Sequence, residues 1–301
     1  MKVAVTGATG MVGHAIAAHL AGQGMAVTAL GRKASPLPGV AHRPYDLDGP
    51  LPDLTGLDAL VHCAFSHVPG RYRGGEGDDP DGFRRANVDG SLRLFHHAAD
   101  SGVGRIIFLS SRAVHDGWPA GTPLSDGLTP RPHSLYGLVK AEVEAGLAAL
   151  TRPGLATASL RATGVYGVTD PGQPHKWADL FGAFAAGTTA PSRVATEVHG
   201  DDLAAAVALL LRADAAALAP HSFNVSDILL DHHDLLTLWA DVSGQVGVLP
   251  PRADSGAVSV MTCERLAALG WHPRGMTGLA TWLQDAARTQ PILSGPGPHP
   301  G

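Results

Sequence analysis

The stretch Val3-Ala4-Val5-Thr6-Gly7-Ala8-Thr9-Gly10-Met11-Val12-Gly13 sets the reading of the whole chain. A short β-favouring run passes straight into three glycines spaced two residues apart, and helix-compatible sequence follows to Gln23. Such a turn leaves backbone N–H groups open to a close anionic ligand, and the helix N-terminus behind it favours negative charge. Three glycines mean little among 38. Their place at the first strand–helix junction is what points to a pyrophosphate-binding turn, with Gly13 letting the helix pack closely on the strand.

Outward from this turn, short apolar runs alternate with helical periodicity. Val3–Thr6, Ala26–Leu30, Ala59–Ala64, Arg105–Ser110 and Ala156–Leu160 read as strands; Met11–Gln23, Phe83–Ser101 and Leu135–Leu150 read as helices. That alternation predicts an α/β fold, a doubly wound parallel sheet of Rossmann type covered on both faces. The last third reads differently, with helices at Asp201–Arg212, His233–Val242, Cys263–Leu269 and Leu279–Ala287 around a short strand at Ser222–Val225. The expected division is a nucleotide-binding domain over 1–170 and 192–225 and a smaller α/β substrate-binding lobe over 171–191 and 226–290. Trp177, Trp239, Trp271 and Trp282 are expected to pack that lobe. The Gly/Pro-rich end, 291–301, reads as a disordered tail.

Composition narrows the function. With 45% hydrophobic and 16% charged residues the chain can bury a large core. A net charge of -5 without a basic run gives no footprint for nucleic acid. No apolar segment approaches the length of a membrane span, and the first apolar run is too short for a signal peptide, so a cytoplasmic protein is expected. Cys63 and Cys263 match no metal-ligand spacing and read as two reduced thiols. The adjacent pairs His96-His97 and His232-His233 do not share a helix face, and no metal is expected.

A second signal lies in Tyr136-Gly137-Leu138-Val139-Lys140, where i, i+4 spacing on a helix stacks a phenol and an ammonium on one face. A free phenol titrates near 10 and is a poor base at neutral pH. A neighbouring ammonium and a cationic nicotinamide ring both favour the phenolate, which is the tuning that general acid–base work requires.

Together these motifs resemble the extended short-chain dehydrogenase/reductases, the NAD-dependent epimerase/dehydratase family. The glycine spacing is TGxxGxxG, Asp46-Leu47 is similar to the family's adenine-contacting pair, and Leu60-Val61-His62-Cys63-Ala64 resembles its fourth strand. Asn87-Val88-Asp89-Gly90 and Leu160-Arg161-Ala162-Thr163-Gly164-Val165-Tyr166-Gly167 match in order, so the resemblance runs from Val3 to about Trp282. It implies catalytic roles for Ser111, Tyr136 and Lys140: Ser111 orients the reacting oxygen, Tyr136 moves the hydroxyl proton, and Lys140 also bonds the nicotinamide ribose. Cofactor contacts are implied for Gly7, Thr9, Gly10, Met11, Val12 and Gly13, for Asp46 and Leu47, and for Cys63, Ala64, Phe65 and Thr163. Asn87 is implied to hold the active-site backbone.

The cofactor follows from charge. Gly31 stands where NAD-preferring enzymes carry a carboxylate, and Arg32 and Lys33 follow with no acid until Asp46. A 2'-phosphate would meet two cations, so NADP is expected ahead of NAD.

Departures from the family narrow the chemistry. Arg112-Ala113 stand where sugar-nucleotide dehydratases carry Asp-Glu, which argues against dehydration by that route. Ala195 falls where nucleotide-sugar epimerases carry a diphosphate-gripping Arg, with Arg193 one strand repeat away, and His115 replaces a Tyr. A dehydrogenase or reductase of a small hydroxylated or carbonyl compound is therefore the leading expectation. A sugar or sugar-nucleotide epimerase and a non-catalytic NADP(H) sensor are the alternatives. The resemblance also implies a homodimer through the Phe83–Ser101 and Leu135–Leu150 helices.

Overall fold

The computed structural model describes residues 1–68, 75–168, 174–219 and 221–289. The expected tail at 291–301 and part of the 171–191 insertion lie outside them. β1 (Lys2–Thr6) is sandwiched between β2 (Ala26–Gly31) and β4 (Ala59–His62), both parallel to it, with α1 (Met11–Gly22) returning the chain between β1 and β2. β3 (Ala41–Pro44) extends the sheet beyond β2. After β4 come α2 (Pro80–Arg84), a π-helical turn over Arg85–Asp89 and α3 (Gly90–Asp100), then β5 (Arg105–Ser111), α4 (Leu135–Ala149) and β6 (Ala156–Ala162). The strand order is β3-β2-β1-β4-β5-β6 with one further strand beyond β6. Chain direction across the sheet reverses between β1 and β4, the crevice where such sheets bind nucleotides.

The remaining elements build a second layer and close the first. They are β7 (Gly164–Tyr166), α5 (Ala178–Ala185), β8 (Val194–His199), α6 (Gly200–Arg212), β9 (Ser222–Val225), β10 (Ile228–Asp231), α7 (His232–Ser243), α8 (Glu264–Ala268) and α9 (Gly275–Thr289). β9 is the seventh strand of the main sheet. β10, β8 and β7 form a separate three-stranded sheet in that order, β8 antiparallel to β10 and parallel to β7.

Three apolar clusters follow from this. One face of the main sheet packs Val3, Val5 and Val61 against Ile16 and Leu20 of α1 and Leu203 and Leu210 of α6. The other packs Leu60, Ile106 and Phe108 against Phe95 of α3 and Val143 of α4. The third joins Tyr166, Trp177, Phe181 and Trp239 with Leu279 and Leu283 of α9, and Phe181 stacks on Trp239 with ring centres 4.1 Å apart. Trp271 does not join this third cluster. It packs in the first and donates to the Asp202 carbonyl at 2.8 Å.

Two further expectations change. The helix expected over Phe83–Ser101 is interrupted by the π turn at Arg85–Asp89. The fourth strand ends at His62, because Cys63 and Ala64 turn their N–H groups onto the Thr6 hydroxyl instead of continuing the ladder. No helix among the described residues is long and apolar enough to cross a membrane.

Candidate active site

The glycine-rich turn is built by close packing. Gly7 has φ +66°, and a Cβ there would stand 2.9 Å from the Ala64 nitrogen. At Gly13 a Cβ would overlap the Gly7 carbonyl. Gly10 is the N-cap of α1, which has no side-chain cap and no acidic residue in its first turn. This leaves a helix N-terminus whose dipole no residue of its own cap or first turn answers.

A single hydroxyl joins this turn to the end of β4. Thr6 Oγ1 accepts from the N–H groups of Cys63 and Ala64, each at 3.0 Å, so its one proton goes to His62 Nδ1 at 2.8 Å. His62 Nε2–H then donates to Ser91 Oγ at 2.9 Å, and Ser91 donates to the Asn87 carbonyl at 2.6 Å. The direction of every bond in this chain is forced. His62 is fully buried, and burial together with the Lys140 charge pushes its pKa down to about 3, so it stays neutral. The Asn87 side chain accepts from Ser66 N–H at 2.7 Å and donates to the Ser66 and Phe83 carbonyls, fixing the loop after β4.

The helix bearing Tyr136 is pinned to the strand bearing Ser111. Ser134 caps α4 by accepting from Gly137 N–H, and Asp116 holds the Ser134 hydroxyl. Gly137 lies so close to the Ala113 carbonyl that a Cβ could not fit. One residue before it is Tyr136, and two residues before Ala113 is Ser111, so this contact brings both to one wall. Lys140 is 4% exposed, donates to the Leu109 carbonyl at 2.8 Å, and lies over Phe65 at 4.5 Å and the Tyr136 ring at 5.8 Å. Burial pushes its pKa down to about 7, against an upward pull from Glu144. Burial likewise raises the Cys63 thiol to about 12, so it is protonated. Phe65 meets Tyr136 edge-on at 5.2 Å. Ser110 is occupied elsewhere, donating to Glu144, which also forms a bidentate pair with Arg161.

These residues line one cavity of about 900 Å³. Its wall takes in Gly7, Thr9, Gly10, Met11, Val12 and Gly13 at the turn, and Arg32, Asp46 and Leu47 at one end. Cys63, Ala64 and Phe65 line its middle, and Ser111, Tyr136, Lys140 and Thr163 lie beyond. Asn87 is not in the wall; it acts on the wall through Ser66. Lys33 is not in the wall either. Arg32 is 3.9 Å from the Asp46 carboxylate, so the cation and the acid share this end. The expected pair of cations facing a 2'-phosphate is therefore reduced in this wall to Arg32, with a carboxylate beside it.

The lining fits a dinucleotide. Its size falls in the range of small-molecule sites, and the glycine cradle has no room for side chains. Two buried hydroxyls in the wall, Tyr45 Oη and Thr163 Oγ1, have no hydrogen-bond partner among the described residues. Buried polar groups rarely stay unsatisfied, so such hydroxyls suit a bound polar ligand. Sequence reasoning missed Tyr45 and Lys176 in this wall. Tyr45 adjoins Asp46 and was within reach of that motif; Lys176 carried no signal.

A profile of the NAD dependent epimerase/dehydratase family matches residues 3–226. The chain belongs to this family. Among curated relatives, the UDP-glucose 4-epimerase of Vibrio cholerae is 33% identical over 154 residues, 48% of this chain and 43% of that protein. A 4-hydroxy-2-methyl-3-oxo-4-farnesyl-3,4-dihydroquinoline-1-oxide ketoreductase of Stigmatella aurantiaca is 29% identical over 184 residues, 56% of this chain and 52% of that protein. The matched regions thus span only about half of either relative. Among solved structures, the Thermus thermophilus UDP-glucose 4-epimerase in complex with NAD superposes with a TM-score of 0.74 at 25% identity, covering 97% of this chain and 100% of that one.

The departures from the family are placed as follows. Arg112 turns away from the cavity wall and donates to the Ser259 carbonyl at 2.7 Å. His115 is buried beside Arg161, and burial pushes its pKa down to about 4. Ala195 pairs with Leu230 across the small sheet, and the exposed Arg193 precedes it.

Proposed function

We propose that the chain is a nicotinamide-dependent oxidoreductase acting on a hydroxylated or carbonyl, sugar-like substrate, with Ser111, Tyr136 and Lys140 as its proton-handling set. The observation that carries this reading is that these three side chains share a cavity wall with the glycine-rich turn. When bound, the nicotinamide supplies hydride exchange with a substrate carbon. The protein's own part is to hold and protonate the oxygen on that carbon. Ser111 donates a hydrogen bond that orients it, Tyr136 exchanges the proton with it, and the Lys140 ammonium beside the phenol stabilises the phenolate. The second sheet with α5, α7 and α9 would cover the substrate as its lobe.

NAD is the proposed cofactor, supported by the family and by the Asp46 carboxylate beside Arg32 in the wall. The solvent-facing Arg32 gives NADP a second reading, because a 2'-phosphate could displace Asp46 from it. A homodimer through α3 and α4, in the cytoplasm, completes the proposal, and light scattering of the purified protein tests the assembly.

A second catalytic reading is a sugar or sugar-nucleotide epimerase, favoured by the likeness to UDP-glucose 4-epimerases. Incubation with NAD and a panel of sugars, sugar acids and sugar nucleotides separates the two. Absorbance change at 340 nm supports the dehydrogenase; isomerisation without it supports the epimerase. Neither, with cofactor bound, returns the chain to a sensing role.

A further inference from the structure

Past Tyr136 and Lys140, the cavity ends in Thr163, Gly164, Val165 and Lys176. Lys176 pairs with Glu197 of β8, whose side chain is 3% exposed against 26% for Lys176. The register explains how they meet. Gly164 of β7 lies directly opposite Glu197 in the parallel pair, and a Cβ at 164 would collide with both the Glu197 carboxylate and the Lys176 ammonium. Glu197 therefore passes through the space a side chain would fill and reaches Lys176 from behind.

A buried ion pair is weak evidence of a stabilising role, because desolvation offsets most of the attraction. Here the arrangement is asymmetric. Lys176 lines the cavity and Glu197 does not. An ammonium offers three donors, and Glu197 takes one of them in this structure. Burial lowers the affinity of Lys176 for its proton, Glu197 opposes that, and the exposed Arg193 just before β8 adds only a small push in the same direction as burial. Next to Gly164, the Thr163 hydroxyl is nine-tenths buried in the same wall and has no partner among the described residues.

We infer that Lys176, backed by Glu197 across Gly164, seats an anionic oxygen of the substrate, and so selects a substrate that carries a carboxylate or a phosphate. An anion in the cavity would meet the ammonium first, with the carboxylate screened behind it. A neutral hydroxyl would gain only an ordinary hydrogen bond. The inference rests on the nucleotide reading above in placing the substrate at this end of the cavity.

Titration calorimetry on the NAD-saturated protein tests it with three probes: a hexuronate, the matching neutral hexose, and uridine diphosphate. The expected result is at least tenfold tighter binding of the hexuronate or the diphosphate than of the hexose, and whichever binds identifies the anion's source. Lys176→Met should erase that gap while leaving NAD affinity within twofold. Lys176→Gln serves if the Met variant does not fold by circular dichroism. A wild type without the gap, a gap that survives both substitutions, or a variant that loses NAD instead would each overturn the inference. If the wild type fails to bind NAD, the nucleotide reading falls, and the same three titrations on the free protein still decide the role of Lys176.

Discussion

Lys140 donates from Nζ to the main-chain carbonyl of Leu109 at 2.8 Å, which anchors the ammonium to β5 only two residues before Ser111. The bond fixes Lys140 relative to Ser111, while i, i+4 spacing fixes it relative to Tyr136. Removing the phenol hydroxyl alone should spare this frame. We expect Tyr136→Phe to lower kcat by about 10²–10⁴-fold with NAD affinity within twofold, measured by steady-state kinetics and cofactor titration. Lys140→Met should lower kcat comparably and also weaken NAD. Full activity in Tyr136→Phe would remove the phenol from the chemistry.

The glycine cradle makes a steeper prediction. Gly13→Ala places a methyl on the Gly7 carbonyl, and Gly7→Ala adds a left-handed backbone to a clash with Ala64. Each should cost about 2 kcal/mol or more of stability and most of the NAD affinity. Urea unfolding with and without NAD measures both.

Acid should destabilise the protein through His62. Its folded pKa of about 3 lies below the ordinary value of 6.5, so between these values the unfolded chain binds more protons than the folded one. The stability it confers is present above 6.5 and drains away as pH falls toward 3, on the order of 3–5 kcal/mol. His115, held at about 4, adds to the same limb. Melting curves from pH 7 to 4 should show this slope, and His62→Phe should flatten it. At pH 7 that variant should lose about 1–3 kcal/mol, because Thr6 and Ser91 would each face an unbonded partner.

The proposed reading of cofactor choice makes the Arg32–Asp46 pair its test. Asp46→Asn should improve NADP binding about three- to tenfold, and Arg32→Ala should weaken NADP more than NAD. Paired titrations with the two dinucleotides at fixed salt decide the matter. An unchanged ratio in both variants would show that this end does not read the 2'-position.

Much of the fold could be read from the sequence because the central strands are apolar runs with punctuated ends. β3 escaped because Ala41-His42-Arg43-Pro44 is a half-exposed edge strand with no apolar signal. β8 and β10 escaped because their pairing depends on register between segments that are far apart. That Ser111, Tyr136 and Lys140 would meet in one wall was legible from spacing and resemblance. The forced chain Thr6–His62–Ser91–Asn87 was not, although His62 and Asn87 stood within quoted motifs, because bond direction needs every partner in place. The charge argument at Arg32 was incomplete for a related reason: Asp46 is 14 residues on in sequence but beside Arg32 in space. Lys176 and Glu197 meet only because Gly164 is empty.

The chain passes between the two sheets three times, twice with almost no slack. One residue, Thr163, separates β6 from β7, and two, Ser226 and Asp227, separate β9 from β10, whereas the return from β8 to β9 runs through α6. The small sheet is therefore sewn to the large one by two taut stitches and one long one, and no single cut releases it. Exchanging this lobe with that of a relative means matching three splice points at once. Specificity in such a protein is most readily rewritten one wall residue at a time, and least readily by recombination.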